Sequence, residues 1–115
     1  MNRGEIYLVD FDPVVGQEQY GKRPALIVSC DEINDLPLVV TIVPGTNGAN
    51  VCSNLPWNVR VPSTESGLRI ETVFLCFQAK ASDKSRFSSS PIGKLSEGWK
   101  KKINEALAYT FAITS

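Results

Sequence analysis

The feature that most constrains this chain is a series of short apolar segments, rich in β-branched and aromatic residues, separated by turn residues. Segments of this length and composition are typical of β-strands. Five of them are predicted, at 5–11, 25–29, 38–43, 57–61 and 72–77. Between the third and fourth, Gly45-Thr46-Asn47-Gly48 has the composition of a turn. The pattern therefore predicts a mainly β fold, either a compact barrel or a tightly curled sheet.

The C-terminal segment has a different period. Ser96 is suited to an N-cap, and Glu97 favours the first helical turn. Apolar residues then recur at helical spacing, which predicts an amphipathic helix at 97–113, and a shorter helical turn is predicted at 31–35. A length of 115 residues with 43% hydrophobic content suits one domain, so we predict a single domain over 1–115.

The composition indicates the cellular compartment in which this protein works. The three cysteines, Cys30, Cys52 and Cys76, are odd in number and form no CxxC pair, which argues against a disulfide framework and fits a reducing compartment. The longest apolar stretch, 36–44, is far shorter than the ~20 residues of a membrane helix. The N-terminus turns acidic before it can form the apolar core of a signal peptide. We therefore expect a soluble cytoplasmic protein.

The absence of histidine limits the chemistry. Without an imidazole, neither a histidine acid/base pair nor a Ser-His-Asp triad can form. No spacing of acidic residues suggests a metal cage, and neither a Walker A sequence nor GxGxxG is present. Any catalysis would depend on arginine, lysine, hydroxyl, amide or carboxylate groups, and no metal or cofactor is expected.

Two positions are candidates for anion binding. The polar segment 16–24 carries glycines and leads into a strand at Arg23, whose guanidinium fork suits phosphate. Thr46, just past the third predicted strand, has a hydroxyl that could donate to a phosphate oxygen. The alternatives are an ordinary hairpin loop with a surface arginine, and a threonine that belongs only to a turn.

The positive charge is also unevenly placed. Residues 80–102 contain seven basic and two acidic side chains in a chain of zero net charge. Such a segment could bind phosphates or an acidic partner, or could simply be solvated.

Taken together, several motifs resemble the MazF/PemK family of toxin endoribonucleases. They occur in the family's order over nearly the whole chain: Arg3-Gly4-Glu5-Ile6-Tyr7, Asp12-Pro13, Gly16-x-Glu18-Gln19-x-Gly21-x-Arg23-Pro24, Ser29-x-Asp31, Val43-Pro44-x-Thr46, Gln78, Asp83-Lys84-Ser85-Arg86 and Gly93-Lys94-Leu95-Ser96. The resemblance is specific because the loop motif fixes several positions and ends in Arg23-Pro24, and because the later motifs follow it in the family's order.

The resemblance implies an SH3-like barrel with a C-terminal helix, assembled as a homodimer. It implies an mRNA interferase that cuts single-stranded RNA at short sequences without a metal, leaves 2′,3′-cyclic phosphate and 5′-hydroxyl ends, and is neutralised by an antitoxin of the MazE kind. By position, the catalytic arginine and threonine are Arg23 and Thr46, and Gln78 matches a residue that contacts RNA. Further substrate contacts are expected from the loop before Arg23 and from the basic segment, at Gln17, Gln19, Tyr20, Lys22, Lys84 and Arg86. An arginine with a pKa above ~12 is a poor base, so the group that accepts the 2′-proton is left unassigned.

The chain departs from the family's pattern near the implied groove. Many relatives have isoleucine where this chain has Gly45, an acidic residue in place of Phe77, and an Ile-Arg pair in place of Ala79-Lys80. The RNA sequence that is cleaved therefore cannot be inferred from a relative. Two other functions stay open: a toxin that binds a protein target, as the gyrase poison CcdB does, and a non-catalytic SH3-like adaptor.

Overall fold

A computed structural model describes residues 1–11 and 21–114. Within these residues the chain forms seven strands, three helices and three single turns of 3₁₀ helix. The strands are β1 (Glu5–Asp10), β2 (Lys22–Ile27), β3 (Val39–Asn47), β4 (Asn58–Val61), β5 (Thr72–Leu75), β6 (Lys80–Asp83) and β7 (Gly93–Lys94). The helices are α1 (Asp31–Asn34), α2 (Ser63–Ser66) and α3 (Glu97–Thr110), and the 3₁₀ turns are Gly48–Asn50, Cys76–Gln78 and Lys84–Arg86.

The strands form one curled antiparallel sheet in the order β4-β5-β3-β2-β1-β7, with β6 also paired to β3. The long strand β3 holds this sheet together. It pairs with β2 along one side, and along the other it pairs first with β6 and then with β5. Because β3 changes partner along its length, the sheet curls and both of its faces become buried.

Alternating side chains supply the two buried faces. Ile6, Leu26 and Val43 belong to a cluster that also includes Ile103 and Ala106 of α3, so this face packs under the helix. The neighbouring residues of the same strands belong to a second cluster, made of Tyr7, Val9, Phe11, Ala25, Ile27, Val40 and Ile42. The period of two in the strands and the helical period of α3 thus meet in the first of these clusters.

The predicted architecture of a mainly β fold with a C-terminal helix is confirmed, as is the short helix near residue 31. Ser96 is the N-cap residue of α3 as predicted, although its side chain makes no capping hydrogen bond. The strands β6 and β7 were not predicted.

The predicted turn at 45–48 was wrong. Gly45, Thr46 and Asn47 continue β3 and pair with Phe74, Val73 and Thr72 of β5. The turn begins only at Gly48, where Asn47 Oδ1 accepts a hydrogen bond from Ala49 N and caps the 3₁₀ turn. Thr46 therefore lies inside a central strand and not beyond its end.

Among residues 1–11 and 21–114, no helix is long and apolar enough to cross a membrane.

Candidate active site

Arg23 and Thr46 lie on neighbouring strands. The register of β2 with β3 pairs Ala25 with Pro44 and Ile27 with Ile42. Continuing this antiparallel register by two residues places Arg23 opposite Thr46. Side chains of directly opposed residues project from the same face of a sheet, so the two predicted catalytic residues share a face.

These two residues line one cavity of about 370 Å³. Its walls come from four separated parts of the chain: the start of β2, the end of β3, the segment that leads into β5, and the residue before β7. The lining residues are Lys22, Arg23, Pro24, Thr46, Asn47, Leu68, Arg69, Ile70, Thr72 and Ile92. Cationic side chains therefore meet two threonines and several aliphatic side chains in a single concave space.

Thr46 contributes its hydroxyl-bearing side chain to the lining of this cavity. The residue is only 6% exposed, and its backbone is held in the sheet by pairing with Val73 of β5. Its hydroxyl has no hydrogen-bond partner within the part of the chain that the structure describes. A donor held in a rigid strand, with no competing partner, can be offered to a ligand oxygen without reorganisation.

Gly45, the residue before Thr46, lies in a closely packed part of β3. A Cβ atom at this position would lie 2.7 Å from Cγ2 of Thr72, and 3.2 Å from both Cε1 of Phe74 and Cγ of Pro24. These side chains occupy the space that a larger residue at position 45 would fill. Many relatives have isoleucine at this position. In this chain the side chains of Thr72, Phe74 and Pro24 occupy the space that an isoleucine side chain would need.

The 3₁₀ turn that follows Thr46 is tied down by Arg60 of β4. Its guanidinium donates to the carbonyl oxygens of Gly48 (3.0 Å) and Val51, to Asn54 Oδ1 (3.1 Å), and to Glu71 Oε1 (2.7 Å). One side chain thus connects the segment 48–54 to the sheet, directly after the site threonine.

A second, smaller cavity of about 180 Å³ adjoins the first. Both cavities are lined by Lys22, and the second is also lined by Leu8, Asp10 and Arg86. Leu8 is the cross-strand partner of Pro24, which lines the first cavity, so the two spaces are neighbours on the sheet. A concave surface with basic side chains therefore extends from Arg23 past Lys22 to Arg86.

Two of the other predicted contacts lie away from the cavity of Arg23 and Thr46. Gln78 is in the 3₁₀ turn after β5 and does not line that cavity. Lys84 donates from Nζ to the carbonyl oxygen of Asn34 at 2.5 Å, on the α1 side of the molecule. Gln17, Gln19 and Tyr20 lie outside the described residues.

Burial raises the pKa of the Cys76 thiol to about 12, and burial followed by the nearby Glu5 carboxylate raises the pKa of Tyr7. Hydrogen bonds from Ser85 lower the pKa of Asp83.

Within residues 1–11 and 21–114, no three His, Cys, Asp or Glu side chains cluster as a metal site would require. What the cavity offers chemically is a set of hydrogen-bond donors with positive charge, which suits a phosphate group.

Four lining residues were not anticipated from the sequence: Leu68, Arg69, Ile70 and Ile92. They come from connecting segments in which no periodic pattern marks a residue, so only the closing of the sheet brings them beside Arg23. The one residue in the sequence that could have marked this segment is Gly67, because glycine is common where a chain turns. In the structure Gly67 ends α2 with a φ of 81°.

The fold and the sequence both match a known family. Residues 2–111 match the model of the PemK-like, MazF-like toxins of type II toxin–antitoxin systems. The chain is 34% identical over 112 residues to endoribonuclease MazF9 of Mycobacterium tuberculosis, which covers 93% of this chain and 92% of the relative. It is 31% identical over 113 residues to endoribonuclease EndoA of Bacillus subtilis, with 98% of this chain and 96% of the relative covered. The chain therefore belongs to the PemK-like, MazF-like toxin family.

Solved structures of the same fold agree. MazF of Deinococcus radiodurans superposes with a TM-score of 0.80 at 22% identity, covering 97% of this chain and 96% of that one. A mycobacterial endoribonuclease in complex with its cognate antitoxin gives a TM-score of 0.80 at 23% identity, covering 100% and 98%. At these identities the likeness concerns the fold, and it confirms the predicted MazF-type architecture.

Proposed function

We propose that this protein is a sequence-specific endoribonuclease toxin that cleaves single-stranded RNA, acts in the cytoplasm and is neutralised by an antitoxin. Membership of the toxin family and the two relatives named as endoribonucleases support this function. The observation that carries the proposal is the cavity in which Arg23 and Thr46 meet from adjacent strands.

The proposed reaction needs no outside reactant. The ribose 2′-oxygen attacks the adjacent phosphorus and loses its proton, the bond from phosphorus to the 5′-oxygen breaks, and that oxygen receives a proton. The products are a 2′,3′-cyclic phosphate and a 5′-hydroxyl. Negative charge grows on the non-bridging oxygens during this step, and donors fixed in advance stabilise it most effectively.

Arg23 and Thr46 fit this task in different ways. The guanidinium of Arg23 brings a full positive charge and a planar set of donors, while Thr46 brings a neutral donor from a buried strand. Removal of one such donor typically lowers the rate by about 10²–10³-fold. We assign the larger contribution to Arg23, because a charged donor forms the stronger hydrogen bond to an anionic oxygen.

Two protein partners belong to the proposal. The first is an antitoxin whose tail occludes the RNA groove; the mycobacterial and Deinococcus structures named as complexes with an antitoxin or MazE support it. The second is another copy of this chain. The end of α3 and the residues after it expose the apolar side chains Tyr109, Phe111 and Ile113, and an apolar patch of this kind suits a homodimer interface.

The test is cleavage of a long mixed-sequence RNA in EDTA, with the fragment ends mapped. We expect discrete cuts at one short motif, ending in cyclic phosphate. Arg23→Ala should abolish them, while Arg23→Lys, which keeps the charge but not the planar fork, should retain a fraction of the rate. Lys101→Ala removes an exposed cation on α3 and serves as the matched control, because it should cleave as the unaltered protein does.

Two results would contradict the proposal. Full activity in Arg23→Ala would remove the assigned role of the guanidinium. Intact RNA with the unaltered protein would favour a binding toxin or an adaptor on the same scaffold, and the next experiment would then search for the protein that it captures.

A further inference from the structure

We infer that Arg69 binds the phosphodiester next to the scissile one, and that Leu68, Ile70 and Ile92 form an apolar wall against the base between these two phosphates. This inference rests on the proposed function, because it extends the substrate path from Arg23 and Thr46. It assigns an RNA contact to a segment that the sequence analysis did not single out.

Arg69 lies on a short segment that is held at both ends. At the start, Gly67 ends α2 in the left-handed region, its N–H donates to Ser63 O at 3.0 Å, and the N–H of Leu68 donates to Ser66 Oγ at 3.1 Å. At the end, the carbonyl oxygen of Glu71 accepts from the N–H of Gly48 at 2.9 Å. The backbone of 68–70 is therefore fixed beside the cavity, and its side chains project from a defined position.

The guanidinium of Arg69 is available to a ligand. Arg3 donates to Val28 O (2.8 Å) and Asn104 Oδ1 (2.6 Å), and Arg60 is committed to the segment 48–54. Arg69, in contrast, is exposed, and among the residues that the structure describes it has neither a hydrogen-bond nor an ion-pair partner. A planar fork in this state can bind a phosphate without first breaking an internal contact.

The wall beside Arg69 suits a nucleotide base. Ile70 and Ile92 are 49% and 41% exposed and line the cavity, and Leu68, which also lines it, packs against the core. Single strands bind through splayed bases on apolar side chains and through contacts to their phosphates. A cavity of about 370 Å³ that combines cations with an aliphatic wall offers both kinds of contact. A chain whose scissile phosphate lies at Arg23 and Thr46 would place its next nucleotide against this wall.

The test measures binding without cleavage, using a short fluorescein-labelled 2′-O-methyl RNA of mixed sequence, in which the attacking hydroxyl is blocked. Anisotropy titrations between roughly 50 and 200 mM salt give the slope of log K against log salt. Arg69→Gln should lower the magnitude of this slope by about 0.7, the value for one phosphate contact on a single strand. The Kd should rise about five- to tenfold at the lower salt concentration.

Three further variants separate the parts of the inference. Lys101→Gln removes the same charge from an exposed position on α3 and should leave both slope and Kd unchanged. Arg69→Lys should keep the slope and recover part of the affinity. Ile92→Ser should raise the Kd with the slope unchanged, since the wall contributes no charge. Far-UV circular dichroism and the urea midpoint of each variant establish that it is folded.

Equal slopes and Kd values for Arg69→Gln and the unaltered protein would overturn the inference. If the unaltered protein nevertheless cleaves RNA, the proposed function stands and only the assignment of Arg69 fails. If the slope falls as expected but no RNA is cleaved by the unaltered protein, the phosphate contact of Arg69 stands, and both the proposed catalytic function and the position of this contact beside a scissile phosphate fail.

Discussion

Replacing Gly45 by alanine should destabilise the fold, because the side chains packed around Gly45 leave no space for a methyl group. The new Cβ would lie 2.7 Å from Cγ2 of Thr72 and 3.2 Å from Cε1 of Phe74. Thr72 is 2% exposed and Phe74 is fully buried, so neither side chain can swing into solvent. Overpacking of this kind typically costs about 1–3 kcal/mol. The lower entropy of the unfolded alanine chain offsets roughly 0.4–1 kcal/mol of this cost. We therefore expect a net loss of about 1–2 kcal/mol in the free energy of unfolding.

The assay is urea unfolding at a fixed protein concentration, with the midpoint and the m-value measured together. Gly98→Ala is the matched control. Gly98 is exposed in α3 and a Cβ there would meet nothing within 4 Å, so the same substitution should stabilise by about 0.5–1 kcal/mol. The midpoints of the two variants should thus move in opposite directions. A Gly45→Ala variant as stable as the unaltered protein would refute the view that its neighbours are rigid.

Three further outcomes are expected. Thr46→Val, which keeps the shape and removes the hydroxyl, should lower the rate of RNA cleavage by about 10²–10³-fold with a small change in KM, and retained activity would exclude the hydroxyl from the reaction. Arg60→Ala should destabilise by about 2 kcal/mol and speed hydrogen exchange of the amides at 48–54, whereas unchanged exchange would mean that other contacts hold this segment. Two thiols, Cys30 and Cys52, should react with a disulfide reagent at pH 8 in the folded protein, while Cys76 should react only in denaturant, and three reactive thiols without denaturant would contradict its burial. Because burial raises the pKa of the Cys76 thiol to about 12 from its ordinary value of 9.0, the folded state loses stability as the pH rises from 9 toward 12 and keeps this contribution in full below pH 9.

The parts of the fold that were predictable are those in which a long apolar pattern records burial. The core strands and α3 were found because each buries one repeated face. Strand β6 was missed because Lys80–Asp83 has no apolar run; it is a strand because its backbone pairs with Val39–Ile42 of β3. The composition of 45–48 was misleading because glycine is common in turns, whereas Gly45 lies in a strand where neighbouring side chains leave no space for a larger residue. Only the residues after Asn47 form a turn.

The candidate site likewise contains residues that the sequence marked and residues that it did not. Arg23 and Thr46 were singled out because a motif and a resemblance marked them, and the strand register places them on one face. Arg69 and its apolar neighbours carry no local signal, and only the three-dimensional path of 67–71 brings them to the cavity. The roles assigned to Gln17, Gln19, Tyr20, Gln78 and Lys84 stay predictions.

The division of the cavity between strands and connecting segments bears on how such a toxin can diverge. Arg23 and Thr46 come from β2 and β3 in the middle of the sheet, where each strand has a neighbour on both sides. Arg69, Ile70 and Ile92 come from connections whose side chains project outward. Under the proposed roles, selection could change these outer positions repeatedly, and with them the RNA sequences that are attacked, while Arg23 and Thr46 are kept. A lineage of such toxins could acquire new targets within one inherited scaffold.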